Sequence, residues 1–96
     1  MKKEEILEVL NGVKEEVKRE YKVEIKGIFG SYARGDDREE SDVDVLVDFE
    51  ARADLFDLVG LGLFLEEKLH RKVDVVPEDS LREEIKPNVL KEIVYL

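Results

Sequence analysis

A small α/β (α+β) fold, with three strands in one mixed sheet and helices packed against it, is what this chain of 96 residues predicts. Three observations lead there. Apolar residues at helical spacing open the chain, short β-branched runs follow, and a second stretch of helical spacing separates the second run from the third. At the usual ~100 to 200 residues per domain, residues 1–96 read as a single domain.

Ile6, Leu10, Val13, Val17 and Tyr21 recur every third or fourth residue between Lys and Glu, which predicts one buried stripe on a helix over residues 3–20. Val23 to Phe29 is β-branched and aromatic, a short strand that ends at Gly30. The polar stretch from Ser31 to Ser41 predicts a loop with one helical turn at its start. From Asp42, DVDVLVDF alternates, so a second strand would carry Val43, Val45, Val47 and Phe49 on one face and Asp42, Asp44, Leu46 and Asp48 on the other. Asp54 has the chemistry of an N-cap for a helix to about Leu69, buried through Leu55, Leu58, Leu61 or Gly62, Leu65 and Leu69. Lys72 to Val76 is the third strand, stopped by Pro77. Ser80 and Glu83 have capping-box spacing for a short helix, and Pro87 with Asn88 restarts a last helical turn or two toward Leu96.

Charged residues make up 43% of the chain, against roughly 25% in an ordinary domain, and the net charge is −9. Such a surface repels phosphate backbones and anionic membranes, so direct nucleic-acid binding is not expected. With no cysteine there is no disulfide framework, thiolate nucleophile or thiolate metal site. The longest near-apolar stretch, Leu58 to Leu65, falls well short of the ~20 residues that span a bilayer. The chain reads as cytoplasmic and unprocessed.

The acidic face of the second strand is its main chemical signal. Residues i and i+2 point the same way with Cα atoms roughly 6.6 Å apart, so Asp42 and Asp44 can converge on divalent ions that sit ~3.5 to 4 Å apart in phosphoryl-transfer sites. Asp74, the only acid inside the third strand, is the natural third carboxylate. Taken alone, a D-x-D pair is more simply a solvated strand face. The loop before it shifts the balance. Gly30 ends a strand and Ser31 follows at once, which lets backbone N–H groups and a hydroxyl approach a phosphate. Ten residues separate Ser31 from Asp42, enough for a return that brings both to one end of the sheet. Arg34 fits either a bidentate phosphate grip or a turn with a solvated head.

The block GSYARGDDREESDVDVLV, with G-S, ten residues and D-x-D, resembles the signature of the DNA polymerase β-like nucleotidyltransferase superfamily. It is most similar to the minimal nucleotidyltransferase (MNT) branch. The leading helix, the V-D-V-V strand and EIKPNVLKEIVYL extend that resemblance over nearly the whole chain. The resemblance implies the polymerase β-like fold, two Mg²⁺ ions held by Asp42, Asp44 and Asp74, and the terminal phosphates of ATP held around Gly30 and Ser31. It implies transfer of AMP from ATP to a tyrosine of a HEPN-domain ribonuclease toxin, with this chain as the antitoxin. A binding-only antitoxin that neutralises its partner by contact is the alternative, and a nucleotidyltransferase for a small molecule or an RNA end is more remote. Either a homo- or a hetero-oligomer is compatible with that setting.

Competing motifs fall away. No P-loop pattern exists, and residues 36–49 lack the ligand spacing of an EF-hand. Gly60 and Gly62 lie inside a leucine-rich helix, where close packing explains them. His70, beside Arg71 and Lys72, suits a helix C-terminus. Tyr21, Tyr32 and Tyr95 read as packing residues, with a ribose or base contact the alternative for Tyr32. The run from Asp36 to Glu40 is a solvated loop tip whose acidity would steer a basic partner.

Overall fold

The computed structural model describes residues 1–96. Helix α1 (Lys3–Tyr21) leads into strand β1 (Val23–Phe29), the short helix α2 (Gly30–Arg34) and strand β2 (Val43–Phe49). Helix α3 (Leu55–Leu69), strand β3 (Val73–Pro77), a 3₁₀ turn (Glu78–Ser80), helix α4 (Lys86–Glu92) and strand β4 (Val94–Tyr95) complete the chain. The sheet has four strands in the order β3-β2-β1-β4, so the three-strand expectation is corrected by one. β2 runs antiparallel to β1 and parallel to β3, and β4 is antiparallel to β1. Two residue pairs make the β1–β4 ladder, too short a run to show alternation in the sequence.

The stripe on α1 is buried as predicted: Ile6, Leu10, Val13 and Val17 pack with Val23, Ile25, Ile28, Val43, Val45 and Val47 of the sheet. Leu61, Leu65 and Leu69 of α3 join the same core, which lies between one face of the sheet and the two long helices. Leu55 is 71% exposed instead of buried. Asp57 is the buried residue of the first turn of α3. Its carboxylate accepts from the Asp54 N–H at 2.9 Å, Asp54 accepts from the Asp57 N–H at 3.1 Å, and Lys22 Nζ reaches Asp57 Oδ1 at 3.1 Å. Asp54 and Asp57 thereby cap α3 as a reciprocal pair, and Asp57 also ties the helix to the end of α1.

Leu46 departs from expectation as well. Alternation puts it on the polar face of β2, yet it is fully buried, because β2 is an interior strand and the 3₁₀ turn after β3 packs against it. No capping box forms at Ser80; its hydroxyl donates to the Pro77 carbonyl at 2.7 Å and closes the 3₁₀ turn instead. Tyr32 is 2% exposed and belongs to the core, in line with the packing reading, whereas Tyr95 is 60% exposed and packs little. Gly60 admits the Tyr21 ring so closely that a Cβ would stand 2.9 Å from it, which bears out the packing explanation. His70 occupies the left-handed C-cap of α3, its N–H donating to the Glu66 carbonyl at 2.8 Å. No helix is long and apolar enough to cross a membrane.

Candidate active site

Two ladders bring the predicted residues to one end of the sheet. In the antiparallel pairing of β1 with β2, Phe29 stands opposite Asp44. In the parallel pairing of β2 with β3, Asp44 stands beside Asp74. Adjacent strands lie ~4.8 Å apart and paired residues share a face, so those two carboxylates are neighbours. Asp42 immediately precedes β2 and is exposed, as is Asp74, while Asp44 is half-buried.

Gly30 follows Phe29 directly and therefore lies against Asp44. A Cβ at Gly30 would collide with the Asp44 carboxylate, and the residue has φ 77°, a conformation that favours glycine. The glycine has a double reason: it turns the chain from β1 into α2 and leaves space for an acid on the next strand. Ser31 follows in the first turn of α2, and its carbonyl accepts from the N–H groups of Gly35 at 2.9 Å and Asp36 at 3.1 Å. The hairpin-like return from α2 is thus fastened on itself. It is closed further on by Ser41, whose Oγ accepts from the Arg38 N–H at 2.8 Å.

Electrostatics mark Asp44 as the centre of the site. Partial burial, followed by the negative charges of Asp74, Asp42 and Glu92, pushes its carboxyl up to about 6, with Arg34 opposing. Three other carboxylates therefore act on Asp44. No three acidic, imidazole or thiol side chains stand as close as in an assembled metal cage. The donors are nevertheless all hard carboxylate oxygens, and a divalent cation would offset the burial and the acidic neighbours that together raise Asp44. By donor chemistry alone, Asp42, Asp44 and Asp74 are the residues that could hold Mg²⁺.

Arg34 ends α2 and is engaged on two sides. Its Nε donates to Asp36 Oδ2 at 3.2 Å and its Nη1 to Glu92 Oε2 at 3.1 Å. These contacts, Asp36 first, hold the guanidinium in its charged form. The other oxygen of Glu92 accepts from the Gly30 N–H at 3.0 Å. Sequence reading missed Glu92 because its partners lie 58 and 62 residues away and no local pattern announces such a contact. The largest surface cavity, about 390 Å³, lies beside α2 and is lined by Lys2, Lys3, Tyr32, Gly35 and Asp37 among others, without any of the three aspartates.

Residues 10–96 match the model of the nucleotidyltransferase domain. Protein adenylyltransferase MntA of Thermococcus cleftensis is 43% identical over 93 residues, covering 97% of this chain and 94% of its own length. A solved minimal nucleotidyltransferase superposes with a TM-score of 0.76 at 39% identity, over 94% of this chain and 95% of that one. A toxin–antitoxin crystal structure with AMP-PNP shares the fold at a TM-score of 0.59 and 24% identity, over 85% of this chain and 61% of the other.

Proposed function

The chain belongs to the nucleotidyltransferase domain family, and from that footing we propose that it is a Mg²⁺-dependent protein adenylyltransferase that moves AMP from ATP to a tyrosine hydroxyl of a HEPN-type ribonuclease toxin, acting as its antitoxin. One observation carries the catalytic part. Asp44 pairs with Asp74 across the parallel ladder, while Gly30 opens a polar loop against the Asp44 carboxylate. In this reading those carboxylates would serve a metal and the loop would serve a phosphate at one sheet end. The name of the Thermococcus relative supports a protein as acceptor. The choice of a HEPN toxin and of its tyrosine rests on the resemblance of the G-S to D-x-D block to minimal nucleotidyltransferases.

In this reading the tyrosine oxygen attacks the α-phosphorus. A new P–O bond forms, the bridging bond between the α- and β-phosphates breaks, pyrophosphate leaves, and the hydroxyl proton passes to solvent. Mg²⁺, when bound, supplies charge neutralisation for the triphosphate and a lowered pKa for the attacking hydroxyl. Asp42 and Asp44 would hold the ion on the triphosphate, and Asp74 with Asp44 would hold the second. The Gly30 backbone, Ser31 and Arg34 would bind the outer phosphates, fixing the α-phosphorus for in-line attack.

The test is incubation of the purified chain with Mg²⁺, α-labelled ATP and its co-expressed partner. Label on a partner tyrosine, lost when Asp44 is replaced by Asn, supports the reading. A partner silenced without label would leave contact alone as the mechanism, and label in RNA or a small molecule would move the acceptor elsewhere.

A further inference from the structure

The donors assigned above to the triphosphate are already in use. The Gly30 N–H donates to one oxygen of Glu92 at 3.0 Å, and Arg34 Nη1 donates to the other at 3.1 Å. A single carboxylate thus bridges the start and the end of α2, as two oxygens of a phosphate group would. Glu92 comes from the last turn of α4, far away in sequence, so chain proximity does not account for its position.

We propose that Glu92 is a built-in competitor for the triphosphate, holding its donors until nucleotide displaces it; the proposal rests on the nucleotide-binding reading above. Neither donor can serve both anions at full strength. The carboxylate also adds a negative charge to a site that already gathers Asp42, Asp44 and Asp74, against the approach of a polyanion.

Displacement asks only that the Glu92 side chain turn away, since Val89 keeps α4 buried and Val94 and Leu96 pack against the core. The backbone around it can stay in place: β4 keeps its two residue pairs with β1 and the Leu96 N–H its bond to the Lys26 carbonyl at 3.0 Å. The Glu92 side chain is also near the surface, at 29% exposure, so its carboxylate has water to enter on leaving. In the resting protein the contact fastens α4 over the loop. In the loaded protein the same donors face phosphate and Glu92 faces solvent.

Calorimetric titration with Mg·ATP and with inorganic tripolyphosphate decides the matter, using the parent chain, Glu92→Gln, Glu92→Ala and Asp44→Asn. Removing the competing charge should tighten both probes by about tenfold, the scale of one charge-assisted contact exchanged. Glu92→Gln keeps the shape and one acceptor oxygen, and Glu92→Ala removes the group if the amide still occupies the donors. Tighter binding by either variant supports the proposal, including binding that appears only in a variant. Unchanged or weaker binding in both overturns it, since a carboxylate that merely positions Arg34 would have that result. If the parent binds Mg·ATP in an Asp44-dependent way while both variants match it or bind less, the competitor falls and the nucleotide site stands. If no form binds either probe, both readings fall together.

Discussion

Asp44 on β2 and Asp74 on β3 occupy paired positions of a parallel ladder, so the fold holds two acids on neighbouring strands at the sheet end where Gly30 starts its turn. Parallel pairing keeps the two side chains on one face, and the short α2 return brings the loop from β1 to them.

The first prediction concerns pH. Asp44 has its carboxyl pushed up to about 6 by burial and by its acidic neighbours. The native state therefore binds more protons than the unfolded chain between the usual carboxylate range and about 6, so stability is fully present below that range and lost as pH rises through 6. Melting in the presence of chelator should show this decline. Asp44→Asn should flatten it and raise apo stability at neutral pH by about 1 kcal/mol, allowing for solvent screening, or ~4 to 8 °C for a domain this size. Mg·ATP must displace the same proton, so its stabilising effect should grow through pH 6 and level off above. A parallel decline in the Asn variant would place the titration elsewhere.

At Gly30 the expected outcome separates site from core. Valine there meets the Asp44 carboxylate and a left-handed backbone at once. Binding of Mg·ATP, measured calorimetrically, should be lost, with the α1 and β-strand core intact by circular dichroism. Ser31→Ala should be milder, about 1 kcal/mol for one hydrogen bond and more if phosphate makes it charge-assisted. Unaltered ATP binding in the Gly30 variant would remove the loop from the phosphate site.

Much of this was legible in the sequence where the signal is local. Ile6, Leu10, Val13 and Val17 announced the buried face of α1 by period alone, and Val43, Val45 and Val47 did the same for β2. The placement of Gly30 and Ser31 beside the D-x-D strand was legible because a ten-residue return between antiparallel strands brings them to one sheet end. Leu46 was misplaced because alternation identifies faces without saying whether both are covered. Glu92, β4 and the Asp57–Lys22 tie were missed for a common reason: their partners are distant in sequence, whereas the Asp54–Asp57 capping box has local spacing and was readable. The distant ties depend on the completed topology, and neither period nor composition encodes them.

Gly27 provides a check on the C-terminal tie. It is buried in β1 beside a register shift, and a Cβ there would collide with the Val94 carbonyl of β4. Gly27→Ala should lift β4 from the sheet edge at a cost of about 1 to 3 kcal/mol, as overpacking of a close contact does. Hydrogen exchange should quicken at the Leu96 amide, which donates to Lys26, with the α1 amides little changed. Because β4 follows Glu92 by one residue, the same substitution should also tighten Mg·ATP binding if that carboxylate competes for the phosphate donors. Slower or unchanged exchange at Leu96 would mean that β4 accommodates the methyl group in place.

The last prediction concerns the acceptor and follows from the shape of the surface. Asp42 and Asp74 are exposed and Asp44 is half-buried, so the carboxylates stand at an open sheet end. In-line attack nevertheless needs the acceptor hydroxyl fixed close to phosphorus, a requirement that a freely diffusing small alcohol would not meet here. An acceptor that brings its own docking surface would. A protein tyrosine suits the chemistry, since its hydroxyl, with a pKa near ~10, deprotonates more readily at a metal than an aliphatic alcohol. The chain's net charge of −9 and the exposed acidic run from Asp36 to Glu40 favour a basic partner, as a ribonuclease toxin would be. Intact mass spectrometry of both chains after Mg²⁺ and ATP should show the mass of AMP added to the partner and none on this chain. Replacing the modified tyrosine by phenylalanine should abolish the increment, and the modified partner should lose its ribonuclease activity. A partner inhibited equally well by the Asp44→Asn chain, without added mass, would assign neutralisation to contact and leave transfer with no part in it.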